Sequence, residues 1–415
     1  MLKVGRVNKK RVFSRIKKLS QIGKTDSGGV TRVALSKEDK KAQELVKKWM
    51  TEAGLVVRHD NFGNMIGRKE GAIPDLPAVM LGSHIDSVRN GGSFDGVIGV
   101  LAGIEVVHVM KEKGILHDHP IEVVAFCEEE GSRFNDILYG SRGMVGNLDD
   151  SSLSKKDHAG ITRYDALKQF GFGIDPDKMN ESIRYPEEIR VFLEMHIEQG
   201  PFLDSNDNPI GIVTAIAGPR SSTFRIKGIP GHAGTVPMYL RKDPMTGASE
   251  IISEIERVCK EDPDSKIVGT IGKISSFPGG SNIIPAEVEF TLDLRDENLS
   301  RRENSYQRII DRAKDICEKR DLTFEVLSEI KIDPVPCSKD VVEKIHEVCN
   351  AMEIEAPYMI SGAGHDAMTM AEITDIGMIF VRCKDGISHQ PDESASEEDI
   401  SLGTEVLLET VLRYV

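Results

Sequence analysis

Two stretches of this sequence concentrate side chains that bind cations or move protons. In GSHIDSVRNGGSFDG, residues 82–96, His84 and Asp86 are one residue apart and Asp95 follows in a glycine-rich turn. In CEEEG, residues 127–131, Glu128, Glu129 and Glu130 are consecutive. Adjacent carboxylates repel one another, so such a run is either solvated at a surface or neutralised by a cation. MHIEQG brings His196 and GISHQP brings His389. Imidazoles and carboxylates together suit Zn2+, Mn2+, Co2+ or Ni2+, and with Cys127 the single thiol in these motifs there is no Cys-rich structural zinc site. Any one of these histidines alone reads as an ordinary structural residue.

What joins them is their place relative to the predicted strands. AVMLGS, residues 78–83, and IEVVAFC, residues 121–127, are apolar runs of the kind buried in a central sheet. His84 and Asp86 follow the first and CEEEG ends the second, while His196 follows VFLE and His389 follows GMIFVRC. Open α/β sheets bind ligands beyond the carboxyl ends of their strands, so the motifs share the expected edge. A helix over 96–113 carries Val100, Ile104 and Val107 at helical spacing. Another over 36–50 opens on Ser36 as N-cap, with Asp39 placed to complete a capping box. Alternating strands and helices predict an α/β catalytic domain with a mainly parallel sheet. After GIVTAIAG the order becomes strand, helix 243–259, strands IVGTIGKISSF and VEFTLDLRD, helix 300–319, and strand LTFEVLSEI. That β-α-β-β-α-β order predicts a ferredoxin-like α+β insert. The expected division is 1–212 and 328–415 for the catalytic domain and 213–327 for the insert.

Composition narrows the class. A chain of 415 residues exceeds the usual size of one hydrophobic core, which also predicts two domains. A net charge of -14 argues against nucleic acid or an anionic membrane as partner. There is no apolar run of about 18 residues to span a bilayer. The basic N-terminus, MLKVGRVNKKRVFSRIKKLSQIG, lacks the apolar core of a signal peptide and reads as an amphipathic surface helix. Six scattered cysteines without CxxC spacing favour a reducing cytoplasm. The glycine-rich turns match neither the dinucleotide nor the P-loop pattern.

In order, GSHIDSV, GGSFDG, EEEGSRF, HIEQG, GHAGTVP and GISHQP resemble the M20 metallopeptidase superfamily, and within it the hydantoinase/carbamoylase group of amidohydrolases. The resemblance runs along nearly the whole chain and includes GGSNIIP, LDLRD and SGAGHDA. It implies two divalent ions per subunit and a smaller lid that also dimerises the enzyme. It further implies hydrolysis of a small linear ureido acid to the free amino acid, ammonia and carbon dioxide. Carried onto this chain, Asp95 would bridge the ions, with His84 and His196 on one and Glu130 and His389 on the other. Asp86 would orient His84 from behind, and Glu129 would be the general base. His232 would stabilise the oxyanion, in its own active site or reaching in from the partner subunit; Gln199 would read the ureido head, and Asn282 and Arg295 would hold the substrate carboxylate. Glu128 has no role by resemblance, and Cys127 reads as packing. GGVTR, HPIEVVAF and the GGSNIIP-to-LDLRD segment favour an N-carbamoyl-L-amino acid as substrate, whereas EEEGSRF and SGAGHDA also resemble the allantoate-hydrolysing branch. An aminopeptidase or deacylase on the same scaffold and a noncatalytic metal-binding module are the remaining alternatives.

Overall fold

The computed structural model describes residues 7–263 and 265–415. They form two compact units. One comprises the described residues up to Thr214 with Cys337–Met359 and His365–Val415, and the other comprises Ala215–Pro336 with Ile360–Gly364. Strands β1 (Val56–His59), β2 (Met65–Lys69), β3 (Ala78–His84), β4 (Ile121–Phe126), β5 (Ile189–Ile197) and β6 (Ile210–Ile216) come first. Then follow β7 (Gly218–Lys227), β8 (Gly231–His232), β9 (Val268–Thr270), β10 (Ile274–Phe277), β11 (Ile283–Ile284), β12 (Glu287–Asp296) and β13 (Thr323–Lys331). The chain ends with β14 (Val335–Pro336), β15 (Tyr358–Ser361) and β16 (Ile376–Val381).

The larger sheet has the order β1-β2-β4-β3-β5-β16-β6-β14, with β15 also on β6. Its four central strands, β4, β3, β5 and β16, are parallel neighbours. β2 runs against β4 and β6 against β16, so the sheet is mixed, with antiparallel pairing outside its centre. Parallel pairing puts the carboxyl ends of the four central strands on one edge. Register sharpens this: His84 lies opposite Phe126, just before the glutamate run, and His196 lies opposite Phe380.

The strands are long apolar runs because both faces are covered; every residue of β3, β4 and β16 is buried. Helix α1 spans Lys9–Leu19, α2 Lys37–Ala53 and α3 Val97–Lys113. α3 is buried well beyond the predicted stripe of Val100, Ile104 and Val107. It packs on β3 and is itself covered by α1, α2 and the helix Glu397–Val411. Burying a side chain such as Leu101 completely stabilises the fold by about 1.5–3 kcal/mol. At the start of α2, Ser36 Oγ accepts from Asp39 N at 3.1 Å as expected of an N-cap. The Asp39 carboxylate, however, accepts from Leu35 N at 2.7 Å, one residue earlier than a capping box requires.

In the smaller unit the sheet order is β10-β12-β7-β13, antiparallel, with β9 also on β12. Helices Pro244–Lys260 and Leu299–Lys319 cover it through Phe224, Ile226, Ile251, Ile255, Phe290 and Leu292. β8 and β11 make a separate two-stranded ribbon. The predicted strand IVGTIGKISSF is two strands, β9 and β10. β13 continues past residue 327 to Lys331, so this unit extends to Pro336. The predicted strand LTFEVLSEI, residues 322–330, is β13; its outer half is exposed and a register shift falls between Val326 and Ser328. All six cysteines are free. Among the described residues no helix is long and apolar enough to cross a membrane.

Candidate metal centre and active site

β3 delivers His84 at its last residue, and the chain then turns back through Asp95 to Gly96, which caps α3. Gly96 has φ 65°, and a Cβ there would fall 2.3 Å from His84 Nε2. Glycine is thus what leaves room for the imidazole. Beyond β4, Glu128 takes φ 55°, a left-handed turn that redirects the chain into Glu129 and Glu130. β5 carries His196, and His389 follows β16 at φ 59°.

These elements bring the five predicted ligands together. The two oxygens of Asp95 face different histidines. Oδ1 lies 3.1 Å from His196 Nε2 and 3.8 Å from His84 Nε2, while Oδ2 lies 3.0 Å from His389 Nε2. Glu130 Oε2 is 3.7 Å from the same His389 nitrogen. His84, Asp95 and His196 can converge on one ion, and Asp95, Glu130 and His389 on another. Glu129 Oε2 sits 3.7 Å from His84 Nε2, beside the first group.

Ring orientation is set from behind. His84 Nδ1 donates to the Asp86 carbonyl oxygen at 3.0 Å, and His196 Nδ1 donates to the Ile197 carbonyl oxygen at 2.9 Å. Each bond protonates Nδ1 and puts the lone pair on Nε2, which at His196 accepts from Gly96 N at 3.1 Å. Asp86 therefore orients His84 through its main chain, its carboxylate oxygen being 3.8 Å from the ring. That carboxylate instead accepts from the amides of Glu129 and Glu130, each at 3.3 Å, and so holds the glutamate loop. Gln199, expected at the substrate, donates from Nε2 to Asp95 Oδ2 at 3.0 Å.

Burial and the crowding of carboxylates act against the imidazoles that pair with them. Burial, with the neighbouring charges of Glu130 and Asp366, pushes the Glu129 carboxyl well above its ordinary value. Burial and the Asp95 charge push Glu130 up to about 8. Burial also opposes ionisation of Asp95, but hydrogen bonding to His196 and His389 holds it well below its ordinary value. Burial lowers His84 to about 4, keeping it neutral.

Four residues without a predicted role, Glu128, Arg163, Glu194 and His365, also shape the site. Glu128 is not solvated: its Oε1 accepts from Phe134 N at 2.8 Å and its Oε2 is 3.4 Å from Arg163 Nε. Arg163 is fully buried, its guanidinium carbon 4.9 Å from the Phe134 ring centroid and 4.0 Å from that of Tyr139, with Asp136 Oδ2 2.7 Å from Nη1. This assembly braces the loop that carries Glu129 and Glu130. Glu194, two residues before His196, accepts from Ser83 Oγ at 2.7 Å and Ala367 N at 3.0 Å, joining β3 and β5 to the His365 segment. His365, in SGAGHDA, packs with its ring centroid 4.5 Å from that of His196. An alternating strand pattern marks none of them as functional, and only their position in the motifs hints at it.

On the smaller unit, ribbon pairing of His232 with Ile283, and Ala233 N donating to Asn282 O at 2.9 Å, make His232 and Asn282 neighbours. Both are exposed. Arg295, on β12, gives its Nε–Nη2 edge to Asp293 at 2.8 and 3.0 Å and donates from Nη1 to the Gly362 carbonyl at 2.7 Å. It borders a cavity of about 580 Å3 lined also by Ser222, Thr223, Thr291 and Asp293.

Residues 80–413 match the pattern of peptidase family M20/M25/M40. The chain belongs to that family. It is 56% identical over 414 residues to an N-carbamoyl-L-amino-acid amidohydrolase of Pseudomonas sp. (strain NS671), covering 100% of both chains. It is 35% identical to an allantoate deiminase of Arabidopsis thaliana, covering 95% of this chain and 81% of that one. A crystal structure of an amidase of the hydantoinase/carbamoylase family from Burkholderia multivorans superposes with a TM-score of 0.93 at 34% identity, covering 98% of each chain. This M20 protein is a hydrolase acting on amide carbon–nitrogen bonds.

The donor set of the M20 protein fits divalent cations. Among the described residues, the ion pairs of Asp95, Glu129 and Glu130 are all with histidines. Buried carboxylates without a lysine or arginine must protonate, coordinate a metal, or rest on charged imidazoles, as Asp95 does on His196 and His389. The imidazole nitrogens turned inward at His84 and His196 are the complement of the second choice.

Proposed function

We propose that this M20 hydrolase cleaves the ureido carbon–nitrogen bond of an N-carbamoyl-L-amino acid, with two divalent ions held by His84, Asp95, His196, Glu130 and His389. The observation that carries the reading is Asp95, whose two oxygens face separate histidine groups next to Glu129. When bound, Zn2+, Mn2+, Co2+ or Ni2+ would acidify water and polarise the ureido carbonyl. Glu129, kept protonatable by its buried and acidic surroundings, suits the proton's round trip. It takes a proton from the attacking water as the carbon–oxygen bond forms. It returns that proton to the nitrogen as the carbon–NH2 bond breaks, releasing ammonia. The remaining N-carboxy amino acid loses carbon dioxide to give the free amino acid.

By resemblance, the smaller unit acts as lid and dimerisation domain. In this reading His232 stabilises the oxyanion from the partner subunit, Asn282 and Arg295 hold the substrate carboxylate, and Gln199 reads the ureido head. Because Asp293 engages the Nε–Nη2 edge of Arg295, substrate would take its outer edge or displace Asp293. The 56% identity to a carbamoyl-amino-acid amidohydrolase supports this substrate class over the allantoate reading, which the 35% relative represents.

The test compares kcat/KM for several N-carbamoyl-L-amino acids, N-carbamoyl-β-alanine and allantoate on one metallated preparation. The highest value is expected for an N-carbamoyl-L-amino acid. Preference for allantoate over every carbamoyl amino acid would overturn the substrate while keeping the reaction class.

A further inference from the structure

Glu393 is a buried carboxylate four residues after His389, and it reaches Asp95, 298 residues away in the chain. Its Oε1 accepts from the amides of Phe94 at 2.8 Å and Asp95 at 3.1 Å. Its Oε2 accepts from Ser388 Oγ at 2.9 Å, and that hydroxyl lies 3.5 Å from Asp95 Oδ2. The opposing loop is cut to receive it: a Cβ on Gly92 would fall 1.9 Å from Glu393 Oε1 and 2.0 Å from its Cδ. Among the described residues Glu393 forms no ion pair with lysine or arginine. A carboxyl oxygen that accepts from two successive main-chain amides commits the main chain at Asp95.

We propose that Glu393 is a positioning residue of the ion site. One oxygen holds the Phe94–Asp95 main chain and the other holds Ser388, beside His389. The clamp fixes the rotation of Asp95 in which Oδ1 faces His84 and His196 and Oδ2 faces His389. It also ties the two loops, so that Asp95 and His389 keep their separation as one body. The role rests on the reading that these residues hold divalent ions, and it assigns Glu393 no contact with substrate or ion.

The test measures Mn2+ and Zn2+ affinity by competition with a chromophoric chelator, together with metal content, on the full chain. The variants are Glu393→Ala, Glu393→Gln, Gly92→Ala and the double variant Glu393→Ala with Gly92→Ala. Glu393→Ala is expected to weaken cation binding by about 10–100-fold, as loss of a ligand's supporting partner does. Gly92→Ala should cause a comparable loss by driving the carboxylate out of its seat. In the double variant the obstacle is gone, so its affinity should match that of Glu393→Ala alone. Glu393→Gln keeps an oxygen for the two amides and should recover most of the affinity. Should Glu393→Ala not fold, Gly92→Ala and Glu393→Gln carry the comparison. Parental affinity in Glu393→Ala, or a double variant that loses the product of both single effects, would overturn the role. A parent protein that binds neither cation would overturn the ion reading itself, and this role with it.

Discussion

Replacing Gly96 by alanine tests the centre at its tightest point. The new methyl would lie 2.3 Å from His84 Nε2, 2.4 Å from Cδ2 and 2.5 Å from Cε1. Close packing starts near 3.4 Å, so the ring or α3 must give way by about 1 Å. The ring has no free direction, because it is buried and tethered through Nδ1 to the Asp86 carbonyl. A misplacement of about 1 Å costs on the order of 100-fold in rate. That factor corresponds to about 2.7 kcal/mol of transition-state stabilisation. The positive-φ backbone of Gly96, φ 65° with ψ -43°, adds at least about 1–2 kcal/mol of lost stability. Gly114 separates the two effects, for it has φ 61° at the other end of α3 and nothing within 4 Å of its Cβ position. Alanine at Gly114 should therefore cost stability alone, whereas alanine at Gly96 should also lower kcat/KM by about 100-fold and reduce bound metal. Metal analysis, steady-state kinetics and denaturant melts on both variants give the answer. A Gly96→Ala enzyme with parental metal content and kcat/KM within about threefold would refute the reasoning, since even a 1 Å shift would then be harmless.

Glu129→Gln is expected to keep its metal and fold yet lose turnover, because an amide cannot carry the proton; near-parental kcat in a fully metallated sample would remove Glu129 from that role. Mixing Glu129→Gln with His232→Ala chains should restore part of the activity if each site borrows His232 from its partner, and verified heterodimers without activity would exclude the exchange. Arg163→Met strands Glu128 in the interior and should lower unfolding stability by about 3–5 kcal/mol. Adding Glu128→Gln should recover part of that loss, and a single-variant loss below about 1 kcal/mol would show that the buried pair contributes little.

The strands whose ends carry the site were legible because both of their faces are buried, which writes them as unbroken apolar runs. One helix start was legible through its cap, Ser36 before Lys37–Ala53, whereas Asp243 and Asn298 emerge as caps of Pro244–Lys260 and Leu299–Lys319 only in the structure. The antiparallel pairing of β2 on β4 was not, because sheet neighbours depend on contacts between distant segments. The ligand types were visible, but the division of labour at Asp86 was not, since a carboxylate two residues from a histidine gives no sign of which oxygen it offers. Glu128, Glu194 and Glu393 were equally opaque. Each is a buried acid serving main-chain amides or a cation elsewhere in the chain, and burial of a lone glutamate leaves no periodic trace.

The place of β16 has a consequence for synthesis. β5 and β6 are separated by only a short connection, yet the finished sheet holds β16 between them. β16 is parallel to β5 and antiparallel to β6, so β5 and β6 themselves run in opposite directions and have the geometry of a hairpin. On the ribosome they emerge long before their partner. At about 5–20 residues per second, the wait is on the order of ten to thirty seconds. During that interval the nascent chain carries two apolar strands able to pair with each other, and the last strand must part them or find them still separate. His389 arrives later still. A chain released early therefore lacks both β16 and His389 of the Asp95–Glu130–His389 group, and leaves the edges of β5 and β6 open to pair with other chains.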